Sequence, residues 1–250
     1  MKTEWDYTAL ASAYVDRPDY SSSAVDEMLR TAGVSKGMRA CDIGAGVGHL
    51  SIPLLERGIR VDAVEPNDAM RELGIKRTKK YAEVHWFEGT GEDTGRESRR
   101  YDLVTFGSSF NVTDRPKALK EAHRILRPAG WFACMWNHRD LEDSLQAAVE
   151  DVIRKHLPDY GYGVRREDQT EVIAASGLFK RPVQIEGKVV HTVSAESWAN
   201  AWRSHATLER QAGDKFAAIV DDIIAYVSAH APEQIQIPYT TRIWVAQATT

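Results

Sequence analysis

Short runs rich in apolar residues alternate with amphipathic stretches through the first 137 residues, and that rhythm leaves few folds open. The runs are "MRACDI" (38–43), "RVDAVEP" (60–66), "VHWFEG" (84–89), "YDLVTFGS" (101–108) and "GWFACMWN" (130–137). Between them lie "HLSIPLLERG" (49–58), "DAMRELGIKRTKKYA" (68–82) and "RPKALKEAHRILRP" (115–128), with apolar residues at helical spacing. Strands that are apolar on both faces belong to a parallel sheet covered by helices on two sides. A helix also precedes the first strand. Ser22 or Ser23 is placed to cap it, Val25, Met28, Leu29 and Ala32 share one face, and Gly33 ends it. Asp114 is placed to cap the helix at 115–128, and Gly74 weakens the one at 68–82.

The last third breaks the rhythm. "VQIEGKVVHTV" (183–193) and "QIQIPYTTRIWVAQA" (234–248) have strand character, and the mostly helical stretch 195–230 separates them. Two late strands with a long insertion suggest a pair added to the sheet edge, one of them antiparallel. The chain reads as a single domain over 1–250, with an N-terminal lid and helix at 1–33 and a helical insertion at 195–230.

In an open parallel sheet, ligands collect at the carboxyl ends of the strands, near the point where the strand order reverses. The first strand carries Asp42 and runs into a turn with Gly44, Gly46 and Gly48. Glycines there let the backbone approach a ligand, and the helix that follows offers unpaired amides. The dinucleotide fingerprint G-x-G-x-x-G, read from Gly44, needs its third glycine at position 49, where this chain has His49. That difference disfavours a nicotinamide oxidoreductase. The second strand ends at Glu65, 19 residues beyond Gly46, close to the interval at which an acid accepts from both hydroxyls of a ribose. The loops "EGTGEDTG" and "FGSSFN" flank the same crevice, and backbone groups at Gly91 and Glu92 are placed to read a base edge.

Composition excludes several classes. A formal charge of −4 and a pI near 6.1 argue against a nucleic-acid binder, and the basic run "KRTKK" (76–80) reads as a solvated helix face. Cys41 and Cys134 sit inside apolar runs without metal-ligand spacing, so they read as buried thiols and no metal is expected. With no apolar leader and no 18-residue apolar stretch, the expectation is a cytoplasmic protein with no membrane partner.

"ACDIGAGVGHL", "VDAVEPNDAM", "GTGED", "YDLVTFGSSF" and "RILRPAGWFACMWN" resemble, in order, the motifs of class I S-adenosylmethionine-dependent methyltransferases. "YVDRPDY" (14–20) resembles the opening of a small-molecule subgroup related to the trans-aconitate-type enzymes, and "IQIPYTTRIWVAQA" is similar to that group's closing strand. The resemblance covers residues 7–137 closely and the remainder loosely. It implies an α/β, Rossmann-like, seven-stranded, mostly parallel sheet in the order 3-2-1-4-5-7-6, with helices on both faces and a helical insertion before the last strand. It implies S-adenosyl-L-methionine as cofactor. The methionine end would lie at Gly44, Ala45 and Gly46, the ribose on Glu65, and the adenine between Asn67 and Met70 on one side and Gly91 and Glu92 on the other. Asp42, Pro66 and Gly107 complete the implied set, and Tyr14 and Arg17 would close over it, with Arg17 a partner for the cofactor carboxylate.

The subgroup commonly has Phe-His-Trp after the fourth strand, whereas this chain reads Phe110, Asn111, Val112. The acceptor therefore does not transfer with the resemblance. Phe110, Asn111, Trp136 and Trp202 are the expected acceptor contacts, with Tyr160, Tyr162 and Tyr239 as further candidate liners. Trp198, Trp202 and His205 follow a spacing of four and three that would place them on one helix face. Methyl transfer from a sulfonium is an in-line displacement that needs alignment and exclusion of water, with a base only for a hydroxyl acceptor. His205 and His138 are the candidate bases. The expected partner is a small-molecule acceptor attacking through O, N or a carboxylate, and homodimerisation is left open. The alternative is the same fold binding S-adenosylmethionine without methylating, as a cyclase or binding module.

Overall fold

The structure is a computed structural model that describes residues 11–250; whatever was expected of residues 1–10, including the start of the lid, lies outside the described residues. Seven strands form one sheet in the order β3-β2-β1-β4-β5-β7-β6, as the resemblance implied. In chain order they are β1 (Arg39–Ile43), β2 (Arg60–Val64), β3 (Val84–Phe87), β4 (Tyr101–Gly107), β5 (Leu126–Arg139), β6 (Val183–Ser194) and β7 (Gln234–Gln247). The first five pair in parallel, and β7 runs antiparallel to both β5 and β6.

Each central strand is buried on both faces because its alternate residues join different cores. Cys134 and Trp136 of β5, with Cys41 and Ile43 of β1, pack against α5 (Arg115–Ile125) and α7 (Thr170–Ala174). Ala133 and Met135, with Ala40, face α2 (Ser22–Ala32) and α3 (Ser51–Glu56). Gly74 lies buried in α4 (Asp68–Thr78), and a Cβ there would overlap the indole of Trp86. That close approach is what the costly helix glycine permits, and Trp86 donates its indole N–H to Thr78 at 2.9 Å.

Two boundaries differ from the sequence reading. The cap of α2 is Ser21, not Ser22 or Ser23: its hydroxyl accepts from the Ala24 amide, and its own N–H donates to Thr241 Oγ1 at 2.8 Å. That second bond, to β7, could not be seen locally. Helix α5 stops at Ile125 rather than 128, because Pro128 disfavours helical geometry at Arg127 and β5 pairing already begins at Leu126.

β6 and β7 pair as far as Ser194 and Gln234, five residues past the last β5–β7 pair at Arg139 and Tyr239. This ribbon overhangs the carboxyl ends of the parallel strands. On it sit α6 (Ser144–His156), α8 (Ala195–Ala201), α9 (Ala206–Ala212) and α10 (Phe216–His230), with a separate apolar core of Val149, Ile153, Trp198, Leu208, Ile219, Ile223 and Ile237. Among the described residues no helix is long and apolar enough to cross a membrane.

Candidate functional site

The strand order reverses between β1 and β4, and the carboxyl ends of these strands open into two adjoining recesses. Gly44, Gly46, Ser108, Val112 and Tyr14 line both, so together they form one groove.

The turn after β1 is built on backbone that glycine tolerates: Gly44, Gly46 and Gly48 have φ of 65°, 58° and 89°. A Cβ on Gly44 would overlap Ser109, whose hydroxyl lies within 2.8 Å of that position. The amides of this turn are themselves paired. Gly44 and Ala45 donate to the Val64 carbonyl at 2.8 and 3.1 Å, and Gly46 donates to Glu65 at 2.8 Å. The turn is therefore clamped to the end of β2 and presents its outer surface to the groove. Asp42 is buried, accepts from Ser51 at 2.6 Å and Thr105 at 3.0 Å, and has its pKa pushed up to about 6 by burial. Its carboxylate fixes β1 to α3 beneath the groove.

Glu65 is the centre of the narrower recess. One carboxylate oxygen accepts from Gly46 and the other from the Asn67 amide at 2.9 Å, so each oxygen keeps acceptor capacity toward the groove. Burial drives its pKa up to about 7 against the pull of those two amides. Pro66, Asn67, Met70, Gly91 and Glu92 line the same recess. Asn67 also caps α4 by accepting from the Met70 amide, and Glu92 accepts from Asp114 N–H at 2.7 Å. Ser108, at φ 60°, is a non-glycine residue in left-handed backbone. It is held there by its amide on the Met135 carbonyl and its hydroxyl on Tyr20, each at 2.8 Å.

Two residues of the N-terminal segment line the wider recess. Tyr14 and Arg17 line it beside Gly107, with the guanidinium 4.3 Å from the Tyr14 ring centroid. Two of the Arg17 nitrogens bind Ser204, Nη2 to its carbonyl at 2.6 Å and Nε to its hydroxyl at 3.2 Å, so this segment is tied to the turn that follows α8. His49, the residue that broke the dinucleotide pattern, joins the turn to the same segment through the Tyr14 carbonyl and Asp19. Asn137 donates to the Pro18 and Asp19 carbonyls.

The expected acceptor contacts are divided. Asn111 and Trp136 are joined in the lining, the indole donating to Asn111 Oδ1 at 2.8 Å, and Trp202 lines the same recess with Trp198 and Tyr239. Phe110 does not reach the groove: it is fully buried, edge-on to Phe106 and Phe132 at 5.4 Å, and is core. Tyr160 and Tyr162 lie behind the lining rather than in it. Trp198, Trp202 and His205 do come together, although α8 ends at Ala201 and a 3-10 turn follows. Trp202 stacks on His205 at 5.0 Å and stands edge-on to Trp198 at 6.2 Å.

Neither histidine is poised as a strong base. His205 Nδ1 accepts from the Leu208 amide as the cap of α9, Nε2 faces the Arg165 guanidinium at 3.3 Å, and burial with that cationic surround holds its pKa well below 6.5. His138 has its pKa lowered to about 4 by burial, with Arg166, Arg242 and Arg165 adding to it. Its Nε2 is buried without a hydrogen-bond partner and the ring lines the groove, so at neutral pH the ring is uncharged. Among the described residues no group of three His, Cys, Asp or Glu side chains is placed to hold a metal ion.

Ser108, Asn137, Arg139, Arg165 and Arg166 line the groove and were not singled out from the sequence. The doubled arginine of "GVRRED" was the one signal available for two of them.

Residues 41–134 match the family model described as a methyltransferase domain. An uncharacterised methyltransferase of Mycobacterium tuberculosis is 35% identical over 124 residues, which take in 50% of this chain and 48% of that protein. A demethylmenaquinone methyltransferase of Staphylococcus aureus is 31% identical over 113 residues, 43% of this chain and 46% of that protein. The chain thus spans about half the length of the curated relatives it matches. Among solved structures, the YcgJ protein of Bacillus subtilis superposes with a TM-score of 0.57 at 18% identity, over 91% of this chain and 99% of that one. Phosphoethanolamine N-methyltransferase 2 of Haemonchus contortus, holding phosphomonomethylethanolamine and S-adenosylhomocysteine, gives 0.55 at 17%, over 97% and 57%. At such identities the likeness shows the fold, the seven-stranded Rossmann-like sheet of methyltransferases.

Proposed function

We propose, for a chain whose residues 41–134 carry a methyltransferase domain, that it transfers a methyl group from S-adenosylmethionine to a small molecule. The observation that carries the reading is Glu65: a groove-facing carboxylate with one amide on each oxygen and room on both for the two hydroxyls of a ribose. The recess around it fits an adenosine. Met70, Pro66 and Gly91 supply flat, weakly polar walls, and the glycine turn supplies a surface without side chains on the way to the wider recess. Tyr14, Arg17, Asp42, Gly44, Ala45, Gly46, Asn67, Glu92 and Gly107 complete the proposed cofactor lining, with Arg17 offering its remaining nitrogen to the cofactor carboxylate.

Held along Gly44, Ala45, Gly46 and Glu65, S-adenosylmethionine would supply an electrophilic methyl group on a sulfonium that leaves as a neutral thioether. The chain's own part is alignment and shielding. The lid, latched through Arg17 to Ser204, and the insertion helices, through Trp198 and Trp202, roof the groove where the acceptor would lie. His138 Nε2 accepts a hydrogen bond from an acceptor N–H or O–H and so turns it toward the cofactor. With both histidine pKa values lowered, the reading favours a nucleophile that carries its lone pair at neutral pH. Isothermal calorimetry tests the cofactor choice: S-adenosylhomocysteine binds and NADH does not. Tight NADH binding without S-adenosylhomocysteine binding sinks the reading.

A further inference from the structure

The wider recess contains a cluster of cations that methyl transfer itself does not require. Arg139 comes from the end of β5, and Arg165 and Arg166 from the 3-10 turn at Gly163–Arg166; all three line the cavity. Arg139 is only 8% exposed, and its Nε and Nη1 are buried without hydrogen-bond partners. Its Nη2 meets Glu150 at 2.5 Å, and that carboxylate is shared with Arg154 at 2.8 Å. Arg166 lies over the Tyr162 ring at 3.8 Å and donates to the Arg139 carbonyl at 3.1 Å. Arg165 has the His205 ring at its tip. Among the described residues, Glu150 is thus the one carboxylate paired within this group of three arginines.

Packing buried guanidinium groups against each other is unfavourable unless an anion joins them. Two unpartnered nitrogens on a buried arginine are a stronger sign still, because each is a donor removed from water with nothing to receive it. The neighbouring walls are of another kind: Trp136, Trp202 and Tyr239 offer broad rings beside the cations. The cavity thus has an aromatic body and a cationic corner, and His138 lines it as well.

We infer that the methyl acceptor is an acid, a small molecule whose carboxylate or phosphate group is gripped by Arg139, Arg165 and Arg166 while its body lies against Trp136 and Trp202. Carboxylate and phosphate share the chemistry that matters, planar or tetrahedral oxygen pairs that take paired guanidinium donors. The gripped acid anchors the molecule and fixes which of its atoms reaches the methyl group. The inference rests on the methyltransferase reading, and its test is arranged so that the two can fail separately.

Protein saturated with S-adenosylhomocysteine is titrated in a calorimeter with succinate, with inorganic pyrophosphate and with neutral succinamide. At least one of the two anions binds and succinamide does not; which anion binds decides between carboxylate and phosphate. Arg165→Gln and Arg166→Gln each weaken that binding by about tenfold or more, the usual effect of removing a charge-assisted donor, and leave S-adenosylhomocysteine affinity within about twofold. Arg139→Gln does the same if it folds; Arg165→Gln and Arg166→Gln keep the test open if it does not. Absence of binding by both anions, equal binding of succinamide, or anion binding untouched by the arginine variants overturns the inference. If S-adenosylhomocysteine itself fails to bind, the fault lies in the cofactor reading, and the same titrations on ligand-free protein still decide the arginine site.

Discussion

Glu65→Gln changes one oxygen to an amide nitrogen and almost nothing else, so it isolates the charge proposed to hold the ribose. In the wild type both oxygens accept, from Gly46 at 2.8 Å and from Asn67 at 2.9 Å. A glutamine keeps one acceptor, and its NH2 must face the other backbone N–H. Loss of charge-assisted bonds to a ligand, with a donor set against a donor, costs about 1–3 kcal/mol, or about 5- to 150-fold in Kd. The wild type carries a pH signature that the variant lacks. Burial raises the carboxyl pKa to about 7, and hydroxyl donors favour the ionised form. Affinity for S-adenosylhomocysteine is therefore full above that pH and falls as protons compete below it, by about tenfold between about pH 8 and about pH 6. The sign for ligand-free stability is opposite. A carboxyl whose folded pKa lies above its unfolded value favours folding at low pH, and that contribution is lost as pH rises from about 4.5 through about 7. Asp42, raised to about 6, adds a slope of the same sign that the variant leaves in place. Calorimetry over this range for both proteins, with urea melts as a folding control, measures all of it. A wild-type affinity flat in pH, or a folded variant that binds as tightly as wild type, refutes the role given to Glu65.

Gly44→Ala puts a Cβ on Ser109 and left-handed backbone on a residue that disfavours it, so it should destabilise by about 2–5 kcal/mol in urea melts; a loss below about 1 kcal/mol would mean the turn relaxes easily. The lid segment, residues 11–20, is held by Arg17 on Ser204, His49 on Tyr14 and Asn137 on Pro18 and Asp19. Its amide hydrogen exchange should slow when S-adenosylhomocysteine fills the groove beneath Tyr14, and identical rates with and without ligand would remove its role as a lid.

The sequence by itself determined the parallel sheet and the half of the groove at Gly44, Gly46 and Glu65, because both depend on local pattern. Apolar runs buried on two faces dictate parallel strands, and the glycine turn with Glu65 one strand further on lies within a single βαβ unit, where spacing along the chain fixes spacing in space. His49 was legible as a departure from the dinucleotide pattern, though not as the tie to the lid. What only the tertiary structure decided is where long-range pairing matters. Ser21 rather than Ser22 caps α2 because Thr241, from the last strand, takes its amide. Phe110 looked like a pocket residue by position and proved to be core, because Phe106 and Phe132 enclose it from strands whose packing the local sequence does not report. The arginine corner is the clearest case. Arg139 ends one strand, Arg165 and Arg166 lie in a turn some 25 residues on, and the three meet around Tyr162, with Trp202 and His205 brought against them from the segment between β6 and β7. No local period encodes that meeting. It follows from a strand pair that outruns its neighbours and carries helices back over the site.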